Sequence, residues 1–94
     1  MSKQLSAEQE RFASMLAPYP RLSTYWDFDK TEVNEQQLRN AISVMSSGEQ
    51  HMARFFLGLW TGDPAGFELT EAVAVLEAKD RKLLVDWICN PFWP

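Results

Sequence analysis

The chain contains one cysteine, Cys89, and one histidine, His51. A lone cysteine cannot close an internal disulfide, so the sequence offers no disulfide scaffold and fits a reducing cytoplasm. A lone histidine excludes histidine-rich metal sites, and Glu49-Gln50-His51 lacks the second histidine, four positions on, of a zinc-binding HExxH helix. Long apolar runs are also missing. Nothing approaches the length that crosses a bilayer, and the opening Met1-Ser2-Lys3-Gln4-Leu5-Ser6 lacks the apolar core of a signal peptide. There is no basic excess: 13 acidic side chains against nine basic ones give a formal charge of −4, which repels nucleic-acid phosphates at long range. Gly62 and Gly66 are not followed by the Gly-Lys-Ser/Thr of a phosphate loop. Internal repeats and low-complexity segments are absent. These absences predict a cytoplasmic protein with no membrane segment, no direct nucleic-acid binding, no metal and no cofactor.

What the sequence does have is apolar and aromatic material, 46% and 13% of 94 residues, ample for one helical domain over residues 1–94 that needs neither disulfide nor metal. The densest stretch runs from Ser46 to Trp60. Met52, Phe55, Phe56 and Leu59 follow the i, i+3, i+4, i+7 spacing of one helix face, and Leu57 and Trp60 widen it. Ser46 with Glu49 has the form of a capping box, so a central helix is predicted from about Ser47 to Trp60 or Thr61. Gly58 costs about 1 kcal/mol in a helix interior relative to Ala, which suggests that another helix approaches closely there.

Other helix boundaries are marked in the same way. Ser6 and Gln9 form a capping box for a first helix carrying Phe12, Met15 and Leu16 inward and ending near Ala17, before Pro18. Tyr19-Pro20 opens a short second helix with proline at N1, turning Leu22, Tyr25 and Trp26 inward. Asn34 with Gln37 makes a capping box, and Val33 with Leu38 a hydrophobic staple, for a helix through Ala41, Ile42 and Met45. Thr61-Gly62-Asp63-Pro64-Ala65-Gly66 is a surface loop. Phe67, Leu69, Ala72, Val73 and Leu76 trace a further helical stripe. Leu83, Leu84, Trp87 and Ile88 do the same for a last helix from Asp80 to Cys89, stopped by Asn90 and Pro91. Trp26 to Thr31 alternates like a strand, but no second strand-like stretch is evident to pair with it, so it reads as loop. The expected fold is all-α: a compact, irregular orthogonal bundle of five or six short helices.

Chemistry-bearing residues are few. His51 and Cys89 could form a nucleophile–base pair only if the fold converged them. As isolated residues they read as a polar histidine at a helix edge and a small buried hydrophobe. Asp27 with Asp29, and Glu68 with Glu71, read as solvated acids at loop and helix starts, outside any calcium-loop pattern. Arg54 interrupts an apolar segment; its stem suits the core edge, with its guanidinium reaching water or an acid such as Glu49 or Asp86. Trp60, Phe92 and Trp93, at helix or chain ends, are the aromatics expected to be partly exposed.

Ser47-Gly48-Glu49 leading into Met52-Ala53-Arg54-Phe55, then Asp80-Arg81, and the ending Asn90-Pro91-Phe92-Trp93-Pro94 resemble small uncharacterised helical proteins carried by bacterial phages and plasmids. The resemblance covers about half the chain and includes no catalytic motif. It implies an accessory protein of a mobile element, a class in which small acidic proteins bind and block a host enzyme or defence complex. The expected function is non-enzymatic binding of a protein partner, possible contacts being Glu49, His51, Arg54, Trp60, Phe92 and Trp93. The alternative expectation is a homodimer through the central helix and the aromatic tail.

Overall fold

A computed structural model describes residues 4–94; the reading of the opening residues as lacking a signal peptide therefore lies, for positions 1–3, outside the described residues. The chain runs α1 (Ala7–Leu16), α2 (Pro20–Ser23), β1 (Trp26–Asp27), β2 (Glu32–Val33), α3 (Glu35–Ile42), α4 (Ser47–Thr61), α5 (Leu69–Val75) and α6 (Ala78–Cys89). Its radius of gyration is 12.8 Å, close to the ~12–13 Å of a packed chain of this length. No helix among the described residues is long and apolar enough to cross a membrane.

Local chemistry sets most boundaries. At α1 the Ser6 hydroxyl accepts the Gln9 N–H while the Gln9 side chain accepts the Ser6 N–H, both at 3.1 Å, completing the box. At α3 only half of the box forms. Asn34 Oδ1 accepts the Gln37 N–H at 3.2 Å, but the Asn34 N–H donates instead to the Tyr25 carbonyl at 2.8 Å. At α4 the Ser46 hydroxyl accepts the Glu49 N–H and donates to Glu49 Oε1. Gly62, at φ +77°, closes α4 in the left-handed conformation, where a side chain is disfavoured.

The all-α expectation requires one correction: the fold is mostly helical, and Trp26–Asp27 is a strand. It pairs antiparallel with Glu32–Val33, Trp26 opposite Val33 and Asp27 opposite Glu32. The four-residue turn between them has no glycine signal. Asp27 Oδ1 ties it by accepting the N–H groups of Asp29 and Lys30 at 3.0 and 3.1 Å, and Thr31 takes the left-handed φ of 52°. The bond from Asn34 to Tyr25 extends the ladder. A two-residue partner strand abutting a helix cap has no periodicity of its own, which hides it from pattern reading.

The central helix α4 packs against α3 and α5, and its Met52, Ala53, Phe55, Phe56, Leu57 and Leu59 are all buried. Phe12, fully buried, sits between α4 and the hairpin, with Trp60, Trp26, Phe56 and Phe28 around it at ring-centroid distances of 5.1, 5.5, 5.7 and 6.3 Å. Two apolar stripes are narrower than expected. In α5 only Ala72 is buried within the helix and Leu76 just beyond it, while Leu69 and Val73 are exposed, because the packing of this seven-residue helix on α4 covers less than the width of its stripe. In α6 Leu84 is buried but Ile88 is exposed, the core at this end being closed by Phe92. Gly58 answers a close approach by a loop, not by another helix: a Cβ there would lie 2.8 Å from the Asp63 carbonyl oxygen and 3.0 Å from that of Pro64.

Candidate functional site

The C-terminal tail folds back and is strapped down. Trp87 Nε1 donates to the Phe92 carbonyl at 2.9 Å, Arg11 donates to the Asn90 carbonyl at 3.1 Å, and the Arg11 guanidinium lies 4.0 Å above the centre of the Phe92 ring. A cation over an aromatic face is attracted by the ring quadrupole. Phe92, expected to be partly exposed, is therefore buried. Its neighbour Trp93 is 64% exposed, with its ring edge-on to Trp87 at 5.8 Å.

From Trp93 an aromatic chain leads inward: Trp87 to Phe55 at 5.7 Å and Phe55 to Phe67 at 5.6 Å. These four rings line a cleft of about 280 Å³. Phe55, Gly58 and Leu59 of α4 make its floor with the half-buried Arg54 at their edge, the loop at Gly62, Asp63, Pro64 and Phe67 makes one wall, and Trp87 and Trp93 make the other. The loop wall is held by its own chemistry, since Asp63 Oδ1 accepts the Ala65 N–H at 3.2 Å and Pro64 O accepts the Phe67 N–H at 2.8 Å.

Of the six residues expected to contact a partner, the structure brings Arg54 and Trp93 to this cleft. Arg54 does not reach Glu49 or Asp86. Glu49 pairs with Arg21 at 3.5 Å and Asp86 with Lys82 at 3.1 Å, each an exposed partner that meets the acid without crossing the core edge. Instead, the Arg54 stem crosses Gly66, its Cδ 3.7 Å from where a Cβ would stand. Trp60 is half-buried among Phe12, Trp26 and Phe28. His51 is half-buried one turn before Arg54, with a buried Nδ1 that has no hydrogen-bond partner among the described residues. Cys89, expected to be buried, is exposed, because the inward stripe of α6 passes through Leu84 and Trp87. Neither His51 nor Cys89 lines the cleft. Sequence reading missed Phe67 and Trp87 as cleft residues; both lie on apolar stripes and carry no local mark of partial exposure.

Comparison of the chain with protein-family models, curated proteins and solved structures finds no significant match.

On another face of α4, Tyr19 Oη donates to Asp80 Oδ1 at 2.5 Å, joining the start of α2 to α6. Asp80 is 8% exposed. Burial pushes the Tyr19 phenol above its ordinary value, and the hydrogen bond to Asp80, the negative charge of Asp80 and that of Glu77 push it the same way. A proton bound more tightly in the folded state stabilises the fold below the unfolded phenol value of about 10, and that contribution is lost as pH rises through the higher folded value. Tyr19→Phe leaves a buried carboxylate without its donor and is expected to cost about 1–2 kcal/mol at neutral pH. Urea unfolding of both proteins between pH 7 and 11 should show the difference shrinking above pH 10. A constant difference would mean that the phenol proton is not linked to folding.

Proposed function

We propose that the chain is a non-enzymatic binding module that docks a protein partner at the cleft beside Trp93. The observation that carries this reading is the state of Trp93, a large aromatic 64% exposed yet held in position by Trp87 and by the strapped tail. Ordering costs are already met in such a side chain, and its uncovered area is free to be buried by a partner. Trp and Arg are the residues that most often dominate binding energy at protein interfaces, and the cleft has one of each at its rim. The acidic balance of the chain disfavours nucleic acid as the occupant. Under the resemblance to mobile-element proteins, the partner is a host enzyme or defence complex, and docking blocks it. The apolar face of α4 is covered by the chain's own core, which leaves the tail as the part of the homodimer alternative open to contact.

Affinity purification from native-host lysate, with wild-type and Trp93→Ala proteins as bait and mass spectrometric identification, tests the reading. The captured partner should bind Trp93→Ala about tenfold more weakly by calorimetry, or more so. Thermal unfolding of the variant should stay close to wild type. Equal capture and equal affinity would remove the cleft from the function.

A further inference from the structure

We infer that the cleft takes a short segment of its partner protein in which a bulky apolar side chain stands next to an aspartate or glutamate. The apolar side chain enters between Trp93, Trp87 and Phe67, and the carboxylate meets Arg54. The inference rests on the reading of the cleft as a docking surface and adds the chemistry of the occupant.

Two charged residues border the cleft, and they differ in what they already hold. Asp63 is engaged, its Oδ1 accepting the Ala65 N–H that shapes the loop. Arg54 has neither an ion pair nor a hydrogen bond among the described residues, unlike the other arginines of the chain. Arg21 and Arg39 pair with Glu49 and Glu35. Arg11 and Arg81 donate to the carbonyls of Asn90 and Leu76. In a chain with 13 acids, the arginine left without an acceptor among the described residues stands at the rim of a cleft lined by four aromatic rings. A guanidinium offers a planar fork of donors that matches a carboxylate. Apolar walls beside it lower the local dielectric, so a carboxylate brought there is attracted more strongly than in open water. The cleft, at about 280 Å³, is slightly smaller than ligand pockets, which run from about 300 to 1,000 Å³. That size suits an anchoring side chain with its neighbour, not a helix laid lengthwise.

The test uses capped peptides, acetyl-Gly-Ser-Phe-Glu-Ser-Gly-amide and its Phe-Gln and Ala-Glu counterparts, titrated into ¹⁵N-labelled protein. The Phe-Glu peptide should shift the indole N–H signals of Trp93 and Trp87 and the Nε–H of Arg54 saturably at millimolar concentration. Its affinity should fall about tenfold with the Phe-Gln peptide and about tenfold in Arg54→Gln. The two changes together should lose no more than either alone, the sign of a direct pair. Arg54→Lys should retain the preference for Glu over Gln. Equal binding of the Glu and Gln peptides, with Phe still required, overturns the carboxylate inference and leaves the docking surface standing. Failure of every peptide to shift the cleft signals overturns the inference as well, and the docking reading is then judged by the Trp93→Ala capture. Concentration-dependent broadening of the Trp93 signal without peptide would assign the cleft to a second copy of the chain and overturn the inference.

Discussion

Replacing Phe12 with Ala should lower the free energy of unfolding by about 3–5 kcal/mol, the range for removing a fully buried phenylalanine ring. Phe12 is the ring on which α1, the hairpin and α4 converge. It is fully buried, and its aromatic neighbours come in two pairs, Trp26 and Phe28 from the hairpin and Phe56 and Trp60 from α4. Few of these neighbours can move in to fill the space, because the hairpin is held by its backbone ladder and α4 is packed against α3 and α5. The cavity therefore persists, and its cost adds to the lost transfer free energy. Against a typical domain stability of about 5–15 kcal/mol, this loss removes a large fraction of the stability. Urea unfolding followed by tryptophan fluorescence measures it directly, since Trp26 and Trp60 flank the site. The midpoint should fall with little change in slope. A loss under about 1 kcal/mol would mean that the hairpin closes over the gap and that Phe12 is not the junction of the fold.

Gly58→Val should destabilise by about 3 kcal/mol, and Gly58→Ala by less but in the same direction. Helix propensity alone gives the opposite sign for alanine, a gain of up to about 1 kcal/mol. The geometry decides between them. A Cβ at Gly58 would meet the carbonyl oxygens of Asp63 and Pro64 at 2.8 and 3.0 Å. Both belong to backbone fixed by the left-handed Gly62 and by the bond from the Phe67 N–H to Pro64 O. Such atoms cannot swing away as a flexible side chain would, so either the loop or the helix end must shift. Gly58 and the same loop line the cleft, so the shift should also weaken partner binding in proportion to the lost loop geometry. Thermal or urea unfolding of both variants checks the sign. A stabilised Gly58→Ala would show that the loop yields freely and that the cleft wall is soft.

The starts of α1, α3 and α4 were legible because they depend on chemistry within a few residues, whereas α6, which has no side-chain cap, starts at Ala78 and not at Asp80, and α3 ends at Ile42, short of Met45. Ser6, Asn34 and Ser46 each supply a side-chain oxygen to the N–H three positions on, and Gly62 ends α4 where the loop was expected. The buried face of α4 was legible for the same reason, a period of 3.6 residues that needs no knowledge of neighbours. The hairpin was not. Its second strand is two residues long and its turn is made by Asp27 and a left-handed Thr31, none of which leaves a periodic signal. Exposure at Leu69, Val73 and Ile88 was also hidden, because a stripe states which residues share a face and not how much of that face a neighbour covers.

For the cleft the division is sharper. Arg54 and Trp93 stood out in the sequence, one as a charge within an apolar run and the other as an aromatic near the end of the chain. The sequence by itself determined where α1, α3 and α4 start and where α4 stops, and that the helices bury a large aromatic core. The tertiary structure alone decided that Phe92 turns inward, that Gly58 makes room for a loop, and that Arg54, without an acceptor among the described residues, lies in one cleft with Phe67 and Trp87. The reason is physical: caps and stripes follow from bonds and spacings along one segment, whereas exposure and pairing depend on which distant segments arrive at the same place.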